Sequence, residues 1–159
     1  MKQVLFWVSV QAVSMVASGV LEAQDNPFVG TWRLNVEQSK GSGVQIPNSE
    51  IRTVVVQGSG ETVAYDGISA SGSPIAYSFT TNFDGKDSPI SGTQPYGAGT
   101  VAVKTVDANR RAFIAKKGGK TIFTTQTAVS KDGKVSTETT KGVNGDGVPI
   151  SITMVWDKQ

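Results

Sequence analysis

The sequence predicts an all-β protein, an antiparallel up-and-down β-barrel of about 8–10 strands. Hydrophobic and polar side chains alternate with a period of two along most of the chain, and helical spacing is almost absent. Short segments containing Gly or Asn separate the alternating runs, as they do in sequential hairpins. The 159 residues include 18 Gly, and Val and Thr are abundant, which favours short strands joined by tight turns.

The first 23 residues have the pattern of a secretory signal peptide. Lys2 gives a positive start, residues 4–20 are mostly apolar, and small residues lead up to Ala23. Four polar side chains interrupt the apolar run, so a membrane-spanning helix is the weaker interpretation. We therefore expect cleavage near Ala23 and a single barrel domain over residues 24–159. The mature protein is expected to be secreted or periplasmic, without a membrane span.

Alternating runs in the first half of this domain predict strands at residues 28–36, 51–57, 62–66 and 75–83. A loop containing Gly and Ser follows the first run at 39–49, and the Gly-Ser-Gly segment at 58–60 suits a hairpin. The fourth run has the most aromatic face of the chain, with Tyr77 and Phe79 on it. The Asp-Gly pair at 84–85 predicts the turn that ends this run, because Gly readily adopts positive φ.

The second half of the domain is predicted to be a meander. A connection rich in Pro and Gly at 88–99 precedes runs at residues 100–106, 110–117, 120–130, 134–141 and 148–157. Since no helical crossover separates these runs, a parallel sheet is not expected. Sequential hairpins favour a barrel, which leaves no exposed edge strand. A two-sheet sandwich stays open as the alternative, with 39–49 and 88–99 as its long connections.

The composition excludes several kinds of functional site. The chain has no Cys and no His, so disulfides, thiol nucleophiles, Cys/His zinc sites and imidazole-based triads are ruled out. With 15 basic and 13 acidic residues, the charge is too balanced for an electrostatic nucleic-acid binder. Asp66, Asp87 and Glu138 are the credible acid–base groups, but none stands in a recognisable motif. We expect a monomer that needs no metal and no cofactor, and the sequence favours binding over catalysis without deciding between them.

The first run contains Gly30-x-Trp32, which resembles the first strand of the calycin group, the lipocalins and their fatty-acid-binding relatives. This resemblance implies that Trp32, with Gly30 beside it, closes one end of the barrel while a basic side chain packs across the indole ring. Lys158, just beyond the last run, is the first candidate for that cation, and Arg33 and Arg52 are the others. The chain is also similar to small exported bacterial proteins of mostly unassigned function, at residues 83–87, 130–134 and 154–158.

A barrel of this size can enclose a small molecule when its inward side chains leave space. The presumed inward positions include Thr53, Thr81, Thr105, Thr124, Gln126, Thr137 and Thr139, few of which are large. We therefore expect the interior to bind a small apolar or amphipathic molecule. The candidate ligand-binding residues are Tyr65, Tyr77, Phe79, Phe113, Arg111, Thr124 and Gln126. Arg111 shares a face with Phe113, and its guanidinium is suited to a carboxylate if that face points inward.

The rival hypothesis is a structural or protein-interaction module of the cell envelope with a filled core. A void large enough for a ligand favours binding, whereas a packed interior with an exposed apolar patch favours the module. The alternation alone does not show which strand faces point inward, so both hypotheses stay open at this point.

Overall fold

The computed structural model describes residues 26–159, so the expected signal peptide and its cleavage site lie outside the described residues. The first six strands are β1 Gly30–Ser42, β2 Ser49–Gln57, β3 Gly60–Ile68, β4 Pro74–Thr81, β5 Asp84–Pro89 and β6 Ser91–Gly92. A 3-10 turn at Pro95–Gly97 follows. The remaining strands are β7 Thr100–Asp107, β8 Arg110–Lys117, β9 Lys120–Val129, β10 Val135–Val143 and β11 Pro149–Lys158. Within residues 26–159 no helix has the length and apolar character needed to cross a membrane.

All eleven strands form one antiparallel sheet, in the order β5-β7-β8-β9-β10-β11-β1-β2-β3-β4-β6. Strands that are neighbours in sequence pair from β7 to β11 and from β1 to β4, and β1 pairs with β11. The two edges of the sheet, β5 on one side and β4 with β6 on the other, approach each other without forming a ladder. The predicted all-β, up-and-down barrel is confirmed, and it is nearly closed.

The strand count differs from the expected 8–10 because two strands lie where turns and connections were predicted. The chain reverses at 82–83, where Phe83 has a φ of 59°, one step before the predicted Asp-Gly turn. Asp84–Pro89 then forms β5, which pairs with β7 through a bulge between Asp84 and Asp87. This polar, bulged segment has no apolar alternation, so its pairing leaves no period-two signal. The loop predicted at 39–49 is also shorter, since β1 continues to Ser42.

The two ends of the barrel are built differently. The loops at 43–48, 69–73, 90–99, 118–119 and 144–148 lie at one end, called here the open end. The segment 26–29 and the turns at 58–59, 82–83, 108–109 and 130–134 lie at the other, the closed end. Trp32 and Trp156 are fully buried in the half of the interior nearer the closed end. The Trp32 indole N–H donates a hydrogen bond of 2.9 Å to the carbonyl of Phe28, which ties the N-terminal segment over this end.

Candidate functional site

The interior of the barrel contains a cavity of about 230 Å³ at the open end. Its apolar wall includes Ile75, Phe79, Val101, Phe113, Ala115, Phe123 and Met154. Its polar positions include Glu50, Tyr65, Tyr77, Tyr96, Thr125, Glu138 and Thr140. Loop residues such as Pro47, Ala70 and Gln94 surround its mouth. The interior is therefore packed around Trp32 and Trp156 and hollow at the open end.

Four of the predicted ligand-binding residues line this cavity, and they form two aromatic pairs. Tyr65 and Tyr77 are partners across β3 and β4, and their rings stack with centroids 4.5 Å apart. Phe79 and Phe113 meet edge to face, with centroids 6.3 Å apart. Burial raises the pKa of both tyrosine hydroxyls well above the usual value, so both remain protonated hydrogen-bond donors at neutral pH.

The floor of the cavity is a buried ion pair between Arg52 of β2 and Glu138 of β10. The Arg52 guanidinium lies 5.1 Å from the ring centroid of Trp32 and 4.9 Å from that of Trp156, so two indoles hold it. The Tyr65 hydroxyl donates a hydrogen bond of 3.4 Å to the Glu138 oxygen that also accepts from Arg52. The charge of Arg52 is thus taken up by an internal carboxylate and is not left free for a ligand.

Glu50 is the unusual residue of the site. It lies two positions before Arg52 on the inward face of β2, is only 4% exposed and lines the cavity. It accepts no hydrogen bond from any residue in the described part of the chain. Burial, reinforced by the nearby charge of Glu138 and opposed by Arg52, raises the pKa of Glu50 to about 8. This carboxyl group is therefore mostly protonated at neutral pH.

At the closed end the structure places a cation against Trp32. The Lys158 Nζ lies 5.1 Å from the ring centroid, and Arg52 approaches the same ring, whereas Arg33 is exposed. Gly30 has a φ of 131°, and a Cβ added there would lie 2.9 Å from the Lys158 Cε. The glycine two residues before the tryptophan thus leaves room for the lysine stem that crosses the indole.

Arg111 faces inward, but at the closed end and away from the cavity. Its guanidinium donates hydrogen bonds of 2.5 and 2.7 Å to the two carboxylate oxygens of Glu61, and both side chains are buried. Its charged carbon lies 3.7 Å from the ring centroid of Phe28. Alternate residues on a strand are roughly 7 Å apart, which is why Phe113 reaches the cavity and Arg111 does not. The structure thus pairs Arg111 with an internal carboxylate, in a place that the cavity does not reach.

The inward placement predicted for Thr124 and Gln126 is wrong, because both side chains are exposed on the outer face of β9. Phe123 and Thr125 are the residues of that strand that line the cavity. The alternation on β9 is ambiguous, since Thr occurs on both of its faces. Of the other threonines presumed to point inward, Thr81 is buried, Thr105 is exposed, and Thr53, Thr137 and Thr139 alternate with buried neighbours and face outward.

The acidic side of the cavity was not predicted from the sequence. Glu50 stands just before the predicted strand 51–57, and Glu138 was considered only as an acid–base group. The available signal was the period-two series Glu50, Arg52 and Val54, in which a buried valine shares its face with two charged residues. Charged side chains are rarely fully buried without a partner, so this face is assigned to solvent by default.

Comparison with known proteins gives a fold neighbour. No protein-family model matches the sequence, and no curated protein matches it. Among solved structures, the chain is similar to zebrafish ileal bile acid-binding protein in complex with cholic acid, with 14% identity and a TM-score of 0.48. The match covers 84% of this chain and 99% of that one.

Proposed function

We propose that this protein binds a small amphipathic molecule inside its barrel. The observation that carries the proposal is the open-end cavity of about 230 Å³. An apolar cavity of about 150 Å³ already accepts benzene, so the space suffices for a ligand somewhat larger than that. The wall is mostly apolar with a smaller number of polar groups, which is the usual composition of a small-molecule site. The apolar body of the ligand packs against Phe79, Phe113 and Phe123, and its polar group reaches Glu50 and Tyr65.

The cavity also distinguishes this proposal from the rival hypothesis of an envelope module with a filled core. A packed interior would have left side chains in contact across the barrel at the open end. Instead inward side chains of β2, β4, β8, β9 and β10 border an empty space of about 230 Å³. This void supports ligand binding as the function.

The test is isothermal titration calorimetry with n-octanol, a neutral amphiphile. A tryptophan in place of Ala70, at the mouth of the cavity, should block entry and weaken binding at least tenfold. The matched control is Ala76→Trp, because Ala76 lies near the same end of the barrel but is exposed and does not line the cavity. Absence of saturable binding to the unmodified protein, or equal effects of the two substitutions, would contradict the proposal.

We also propose that the protein is exported and works in the secreted or periplasmic compartment. The support is the charged start, the apolar run at 4–20 and the small residues before Ala23. N-terminal sequencing of the protein isolated from its own host should return a chain that begins near Gln24. A chain that retains Met1 would contradict export by cleavage.

A further inference from the structure

The charged side chains that face the open-end cavity are both acidic. Among the described residues that line it, Glu50 and Glu138 are the ionisable acids, and none is Lys or Arg. Arg52, below the floor, is engaged by Glu138 and by the two indoles. A ligand that enters this cavity therefore meets carboxyl groups but no free cation.

Glu50 is the lining residue that offers a ligand the most favourable polar interaction. Glu50 is only 4% exposed, and its side chain lines the cavity. It has no hydrogen-bond partner among residues 26–159. A ligand that places a hydrogen-bond donor at this carboxyl group gives it the partner that it lacks, and a positively charged donor adds an ion pair in a site of low dielectric.

The groups around Glu50 suit a positive charge. Glu138 of β10 and Arg52 of β2 are the charged groups that act on it, in opposite directions and with Glu138 the stronger. Tyr65, Tyr77 and Tyr96 line the same cavity from β3, β4 and the 3-10 turn. The faces of aromatic rings attract cations, especially where water is excluded. Aromatic rings and carboxyl groups together form a site for an ammonium group.

We propose that the cavity selects an amphipathic amine, whose protonated nitrogen binds the carboxylate of Glu50 while its apolar body packs against Phe79 and Phe113. This inference rests on the proposed function and specifies the ligand class for the same cavity. A ligand carboxylate is disfavoured, because it would be buried beside Glu50 and Glu138 with no unpaired cation to receive it. A neutral alcohol is accepted without preference.

Binding of an amine is coupled to proton release. In the empty cavity Glu50 holds a proton at neutral pH, since its pKa is about 8. When an ammonium group binds, that carboxyl group becomes ionised and its proton passes to the solvent. An aliphatic amine keeps its own proton up to about pH 10. The affinity for the amine should therefore rise with pH until Glu50 is ionised, and close to one proton should be released per molecule bound at pH 7.

The experiment compares n-octylamine, n-octanol and octanoate by calorimetry at pH 7, in two buffers with different heats of ionisation. The three probes share one chain length, so only the polar group differs between them. We expect octylamine to bind at least tenfold more tightly than octanol, octanoate to bind most weakly, and only octylamine to release close to one proton. The proton count requires no mutation, so it does not depend on a variant that folds.

The variant Glu50→Gln keeps the shape of the side chain and removes its charge. It should weaken octylamine binding at least tenfold, abolish the proton release and remove the preference for octylamine over octanol. The matched control is Glu37→Gln, because Glu37 is exposed on β1 and does not line the cavity. Octanoate binding as tightly as octylamine, or an unchanged preference in Glu50→Gln, would overturn the amine assignment while leaving the proposed function intact. If none of the three probes binds, the proposed function fails, and this inference fails with it.

Discussion

Arg52 and Glu138 form a buried ion pair that divides the interior of the barrel into two parts. Below the pair, the indoles of Trp32 and Trp156 hold the Arg52 guanidinium in the packed half of the core. Above it lies the cavity, where Glu50 has no such partner. The opposite charges of Arg52 and Glu138 therefore neutralise each other at the boundary of the packed core. The carboxyl group of Glu50 remains accessible to a molecule that enters the cavity.

The first prediction concerns the pH dependence of stability. The pKa of Glu50 is about 8 in the folded protein, against an ordinary value of 4.5. Because the folded state binds this proton more tightly than the unfolded state, the free energy of unfolding should fall as pH rises from about 4.5 to about 8. Glu50→Gln removes this dependence. Chemical denaturation should show the variant more stable at pH 9, by on the order of 5 kcal/mol, and equal to the unmodified protein at pH 4.

Glu37→Gln serves as the control for this comparison, since it removes one carboxyl group from the exposed surface of β1. Its difference from the unmodified protein should stay small and flat from pH 4 to pH 9. A stability difference for Glu50→Gln that is equally flat would show that the cavity does not hold a protonated carboxyl group.

The second prediction concerns the closed end. Trp32 is fully buried, so Trp32→Ala should lower the free energy of unfolding by about 3–5 kcal/mol. Lys158→Ala should lower it by about 0.5–1 kcal/mol, as expected for a solvent-exposed cation over an aromatic ring. A double-mutant cycle measured by denaturation should show coupling between the two positions. Strictly additive effects would show that the contact between the Lys158 Nζ and the ring does not stabilise the barrel.

The third prediction concerns the Arg111–Glu61 pair, in which both side chains are buried. Arg111→Ala leaves the Glu61 carboxylate buried without its partner and should destabilise the protein by about 3–5 kcal/mol. The double variant Arg111→Met with Glu61→Leu replaces both charges with apolar groups and should recover most of that loss. The neighbouring Arg110 pairs with Asp107 on the surface, so Arg110→Ala is the matched control and should have little effect. Equal urea midpoints for Arg111→Ala and Arg110→Ala would contradict the structural role of the buried pair.

Much of the fold follows from local pattern. Strand β11 contains an apolar residue at every second position from Ile150 to Trp156, and burial of that face leaves one possible register. The positions of Trp32 and Tyr77 follow from the same rule. On β9 and β10, by contrast, Thr and Ser occur on both faces, so Thr124 and Gln126 were assigned to the wrong side.

The acidic character of the cavity does not follow from local pattern. Glu50, Arg52 and Glu138 are buried because they meet across three different strands, β2, β3 and β10, together with Tyr65. A charged residue can be predicted to lie in the core only when its partner is known. The partner of Arg52 is 86 positions away in the sequence. The hollow interior likewise depends on how all the inward side chains fill the barrel together. No single segment of the sequence contains that information.

The most direct test of ligand binding in the open-end cavity is a titration of the ¹⁵N-labelled protein with n-octanol, followed by two-dimensional NMR. Saturable shifts are expected at residues that line the cavity, such as Tyr77, Phe113 and Phe123, with no comparable shifts at Glu61 and Arg111 at the closed end. Shifts that spread over the exposed outer face of the barrel, or a spectrum that does not change, would contradict a ligand site in the interior.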